Sequence, residues 1–96
     1  MTNKNARLEM KRRIRTLNER LGKLGPFMRG TVVVIGMRNK QPYFSLNKDG
    51  KTRLIYLGKK REPQARRMSL AYKKLLGIIE EMTTRNMELL KNDALD

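Results

Sequence analysis

Between Arg38 and Arg61 the chain interleaves cations with side chains that lie flat or form hydrogen bonds: Arg38, Lys40, Tyr43, Ser45, Asn47, Lys48, Lys51, Arg53, Lys59, Lys60 and Arg61. That mixture suits a polyanion. Lysines at turns and strand ends match phosphates, while Arg and Asn carry groups that pair with guanine and adenine edges in a major groove. On this reading Arg53 reads bases and Lys51 touches only backbone.

Catalysis asks for groups that share a site and have usable pKa values. The chain has no His and no Cys, which excludes imidazole bases, thiol nucleophiles, disulfides and Cys/His zinc sites. Glu80 and Glu81 are adjacent and point to different sectors of a helix. No H-E-x-x-H, G-x-x-x-x-G-K-[ST] or G-x-S-x-G pattern occurs. "GKLGPFMRG" does not precede a helix and reads as a linker, and Tyr43, Tyr56 and Tyr72 have no neighbouring base. The expectation is a protein that is not an enzyme, with no cofactor, no metal and no small-molecule substrate.

Charge points the same way. The 96 residues carry a formal charge of +14, from 23 Lys and Arg against 9 Asp and Glu. Residues 1–74 hold 21 of those cations and only four anions, Glu9, Glu19, Asp49 and Glu62, whereas from Leu75 onward two cations face five anions. Such an excess attracts nucleic acid first and an anionic membrane second. Membrane contact is disfavoured, because no basic helix carries a Trp/Phe-rich insertion face and no apolar run reaches ~18 residues. The charged start lacks the apolar core of a signal peptide. Together with the missing Cys, this predicts a cytoplasmic protein, nucleoid-associated if it binds DNA.

These residues need a scaffold, and a chain this short buries only a little over ~60% of its unfolded surface around one small core. Apolar content of 39%, with 5% aromatic, leaves room for a homodimer. Met10, Ile14, Leu17, Leu21 and Leu24 alternate four and three apart, which predicts an amphipathic helix over 3–24. Thr2 or Asn3 caps it, and Gly22, Gly25 and Pro26 end it. Its outer face carries Lys4, Arg7, Lys11, Arg12, Arg15 and Lys23.

"TVVVIGM", "YFSLN" and "KTRLIYLG" follow as strands, giving a three-stranded antiparallel meander over 31–58. With a three-residue loop at Lys48, Asp49 and Gly50, Phe44 faces Leu54 and Leu46 faces Thr52 on a side packed against helices. Tyr43, Ser45, Asn47, Lys51, Arg53 and Ile55 then share the other. A two-residue Asp-Gly turn slips the register by one and mixes these sets. The first arrangement is preferred because it separates apolar from polar residues.

Pro63 suits the first position of a long helix over 63–91. Its seam runs through Ala65, Met68, Tyr72, Leu75, Ile79, Met82, Asn86 and Leu89 at heptad spacing, and the stretch from Tyr72 to Leu89 is the candidate oligomerisation seam. A polar Asn86 there selects register and partner number, or lies at a frayed end. The expected fold class is α+β: an N-terminal helix, a three-stranded meander and a long C-terminal helix in one domain, 1–96.

Two resemblances bear on this reading. The segment from Thr31 to about Leu76, with three strands, a "DGK" turn and a basic start to a helix, resembles the arm-type DNA-binding domain of tyrosine recombinases, whose sheet inserts into the major groove. Through "GPFMRGTVV", "PYFSL", "DGKTRLIYL" and "NMELL" the chain is similar to an uncharacterised family of short basic bacterial proteins found beside transposase-like genes. That similarity implies a mobile-element, transposition-linked setting. Many members of that family carry a cysteine-bearing insertion between the first two strands. Here only "GMRNKQ" stands there, which rules out a thiolate metal site.

The sequence therefore predicts a small basic nucleic-acid-binding protein, with DNA favoured over RNA, that uses the polar face and turns of its sheet. The alternatives are an RNA-binding protein, and a helix-mediated assembly or adaptor protein with an acidic protein partner.

Overall fold

The computed structural model describes residues 4–92. In order they form α1 (Lys4–Gly22), β1 (Thr31–Ile35), β2 (Gln41–Lys48), β3 (Lys51–Tyr56) and α2 (Gly58–Lys91). This is the α+β order expected. The capping role expected of Thr2 or Asn3 lies outside the described residues. Two compact units are present: one from the described residues up to Leu24 and from Lys74 onward, the other from Gly25–Lys73.

In the helical unit, the four-and-three spacing of α1 buries Leu17 to 1% exposure, while Ile78 and Leu89 are buried from α2. Arg13 ties the helices together. Its Nε donates to Glu81 Oε2 at 2.6 Å and its Nη2 to Oε1 at 2.9 Å, while Arg85 Nε adds a bond to the same carboxylate at 2.8 Å. These bonds hold the Glu81 carboxyl at about 2, well below its ordinary 4.5. Toward the other end, Leu17 and Leu24 flank a groove of about 530 Å³ shared with Lys74, Gly77 and Ile78. As numbers rise along α1 they fall along α2, so the segments run antiparallel. The helices thus pair within one chain.

In the Gly25–Lys73 unit the sheet order is β1-β2-β3, antiparallel throughout. Its core is Phe44, Leu57 and Ala65, with Met28, Val32 and Leu46 packed against it. Burying Phe44 to 5% exposure removes most of one aromatic side chain from water, worth about 2 kcal/mol. The connector after α1 is pinned to α2 from two sides: Met28 N donates to Met68 O at 3.2 Å, and the buried Ser69 hydroxyl donates to Gly30 O at 2.8 Å. Gly30 lies against Phe44 so closely that a Cβ there would stand 2.6 Å from the ring.

The hairpin register departs from the preferred sequence reading. Lys48 pairs with Lys51, Leu46 with Arg53, Phe44 with Ile55 and Ser45 with Leu54, so the loop is the two-residue Asp49-Gly50 turn. Both residues take left-handed φ, 54° and 73°, the conformation whose twist matches that of the flanking strands. Directly paired residues share a face. Lys51, Arg53 and Ile55 therefore project on the side of Phe44 and Leu46, and Leu54 moves to the side of Tyr43, Ser45 and Asn47. The slip is tolerated because β3 is solvated on both faces: Ile55, on the Phe44 side, remains 57% exposed, and Leu54, on the other side, 50%.

The long helix also starts earlier than Pro63. It begins at Gly58, so Lys59, Lys60 and Arg61 occupy its first turn. Pro63 lies one turn in, where it offers no amide to the Lys59 carbonyl. Along the expected seam, Leu89 is buried, Tyr72, Leu75, Met82 and Asn86 are half-buried, and Ile79 is exposed. An ideal helix drifts ~20° per heptad from a strict seven-residue seam, so one stripe cannot stay against one neighbour over this length.

Candidate nucleic-acid interface

The Gly25–Lys73 unit concentrates charge. It holds twelve Lys and Arg against two carboxylates, Asp49 and Glu62, and Glu62 is already bonded to Arg66 at 2.7 Å. The strands sort the remaining cations. β2 begins, and β3 ends, at the Gln41–Tyr56 end of the sheet. Arg38 and Lys40 in the β1–β2 turn, and Lys59, Lys60 and Arg61 after β3, therefore belong to that end. Lys48 and Lys51 flank the hairpin turn at the opposite end, with Arg53 two pairs farther in on the same face. Two positive groups thus stand at the two ends of a sheet roughly 25 Å long, at ~3.4 Å per residue.

Arg29 joins the hairpin-end group, and sequence reasoning missed it. Its Nη1 donates to Asn47 O at 2.8 Å, which fixes it beside Lys48 and Arg53 around a groove floored by Met28, Phe44, Leu46 and Ile55. The signal was present in "GPFMRG", where a lone cation precedes a strand, but only the register places it next to Arg53.

Between the two ends, the side of the sheet opposite Phe44 carries no charge. It presents Gln41, Tyr43, Ser45, Asn47, Thr52, Leu54 and Tyr56, with Thr31, Val33 and Ile35 from β1. Tyr43 and Tyr56 face each other edge to face, with ring centroids 5.6 Å apart, and the Tyr56 hydroxyl donates to Gln41 Oε1 at 3.2 Å. Thr52 donates to Asn47 Oδ1 at 2.6 Å, which leaves the Asn47 amide NH₂ as a donor.

The eleven expected site residues are therefore divided. Tyr43, Ser45 and Asn47 share the uncharged face. Lys48, Lys51 and Arg53 lie on the other face at the hairpin end, and Arg38, Lys40, Lys59 and Lys60 lie at the far end. Arg61 is engaged within the fold: its Nε donates to Leu57 O at 3.0 Å and its Nη2 to Tyr56 O at 2.9 Å, holding the chain where β3 passes into α2. Arg53, expected to share a face with Tyr43, does not.

Among the described residues no group of three or more acidic, His or Cys side chains is placed to hold a metal ion, and no helix is long and apolar enough to cross a membrane. Compared with protein-family models, with curated proteins and with solved structures, the chain matches none.

Proposed function

We propose that this protein binds nucleic acid, DNA in preference to RNA, through the sheet of the Gly25–Lys73 unit. The observation that carries the reading is a sheet with cations at both ends, those of the hairpin end on the Phe44 side, and an uncharged, hydrogen-bonding face on the other side. Cations at the ends meet phosphates and set position, while Asn47, Ser45 and Gln41 meet base edges. A sheet is narrow enough to enter a major groove. The resemblance to arm-type recombinase domains supports the choice of DNA, and the setting near mobile elements belongs to the same proposal.

The test is a titration with duplex DNA at two salt concentrations. Log K falls by ~0.9 for each phosphate contacted per tenfold rise in salt. Affinity that ignores salt, or none at low salt, defeats the reading. One observation favours single-stranded RNA as the second reading: the exposed Tyr43–Tyr56 pair offers two rings on which bases can stack. A single-stranded oligonucleotide that outcompetes the duplex decides for it.

A further inference from the structure

The free edge of β3 has its own recognition pattern, which goes beyond the nucleic-acid reading although it shares Lys51 and Arg53 with it. β3 is an outer strand of the sheet, and all six of its residues are exposed. Leu57 N donates to Pro42 O at 3.0 Å, and the alternation of an antiparallel ladder carries that inward bonding back through Ile55, Arg53 and Lys51. The backbone N–H and C=O groups of Thr52 and Leu54 therefore point away from β2, toward solvent. They form a template on which an extended chain can pair.

The side chains along this edge say which chain. On the Phe44 side stand Lys51, Arg53 and Ile55; on the other, Thr52, Leu54 and Tyr56. Beside Arg53 and Ile55 opens the apolar groove of about 470 Å³ floored by Phe44 and Leu46. A second copy of β3 laid along this edge would bring Lys and Arg against Lys and Arg, so the edge repels its own kind. The edge of β1, Thr31–Ile35, carries no charge and offers no such selection.

We infer that the β3 edge is a docking site for an extended acidic–apolar peptide segment of another protein, added antiparallel as a fourth strand. Cross-strand pairing sets its pattern. Opposite Ile55 and Leu54 it carries two apolar residues, opposite Arg53 an acid, opposite Thr52 a small hydroxyl residue, and opposite Lys51 a second acid. In order, that is apolar–apolar–acidic–polar–acidic. A large side chain opposite Ile55 reaches the groove, and the two acids meet Arg53 and Lys51.

The test is fluorescence anisotropy on the full chain, with a dye-labelled probe containing Val-Val-Glu-Thr-Glu. Saturable binding is expected. It falls about tenfold or more, the equivalent of two or three cross-strand pairs, when the same residues are reordered so that charge is kept and alternation lost. N-methylation of the probe's amides that face β3 has the same effect. Arg53→Glu abolishes binding of the acidic probe and restores binding of a probe with Lys opposite position 53, a rescue that a misfolded variant cannot give. No saturable binding, equal binding of the reordered probe, or no rescue overturns the proposal. So does failure of the peptide while a single-stranded oligonucleotide perturbs the NMR signals of Leu46 and Ile55, which assigns the groove to nucleic acid. Because nucleic acid is absent from the peptide titrations, their outcome is independent of the salt titration above.

Discussion

Lys48 and Lys51 stand directly opposite each other across the β2–β3 ladder, two like charges in a pairing that ordinarily destabilises a sheet. With Asp49 the one acid in the turn, the hairpin end keeps a net positive charge. Removing one member separates stability from binding. Lys51→Ala is expected to raise stability by a few tenths of a kcal/mol in urea titrations, while duplex affinity falls and the salt slope shrinks by about 0.9. A variant that loses stability, or keeps the full slope, contradicts the assignment.

Arg53 and Arg61 should behave differently, although both belong to the cation-rich stretch. Arg53→Ala is expected to weaken binding to all duplex sequences alike, since its side chain lies away from Tyr43, Ser45 and Asn47. Arg61→Ala is expected to cost about 1 kcal/mol of stability, because two carbonyl partners are lost, with little change in the salt slope. Denaturant titration and binding at two salts, run on both variants, separate the two roles.

Two glycines give opposite signs. At Gly30, where φ is 131° and a Cβ would meet the Phe44 ring and the Ser45 carbonyl within 2.7 Å, an Ala is expected to cost about 3 kcal/mol. At Gly77, inside α2 with open space around it, an Ala is expected to gain about 1 kcal/mol from helix propensity alone. Urea midpoints of the two variants check both.

The Arg13–Glu81–Arg85 cluster gives the helical unit an acid limit. Glu81 titrates at about 2 in the folded chain against an ordinary 4.5. The unfolded state therefore takes up the proton first as pH falls. The contribution of the cluster is full above about 4.5 and is lost progressively as pH falls toward 2. Glu81→Gln should flatten that part of the pH–stability curve, followed by circular dichroism. An unchanged curve would show that the acid sensitivity arises elsewhere.

Element order was legible because each element has its own periodicity: four-and-three spacing in Met10–Leu24, β-branched runs at Val32–Ile35, and a long helical seam after Ala65. The register was not. Grouping Leu54 with Phe44 gave the cleaner division of apolar from polar residues. The fold instead obeys the turn, where Asp49 and Gly50 both adopt left-handed φ, and accepts an exposed Leu54. The start of α2 was hidden in the same way. Pro63 is an ordinary helix-start signal, but Gly58 turns the chain directly out of β3 and Arg61 fastens the junction through backbone carbonyls, contacts that no spacing rule encodes. The candidate site was legible in composition and not in geometry. Composition singled out the cation-rich stretch, but the division of its residues between two faces and two ends, and the position of Arg29 beside Arg53, follow only from the register.

The edge-to-face contact of Tyr43 with Tyr56 also equips the molecule for optical work. The chain contains no Trp and three Tyr, so two of its three tyrosines sit together on the uncharged sheet face. Intrinsic emission and its quenching by stacked bases will register, without any added dye, whether a polynucleotide covers that side of the sheet.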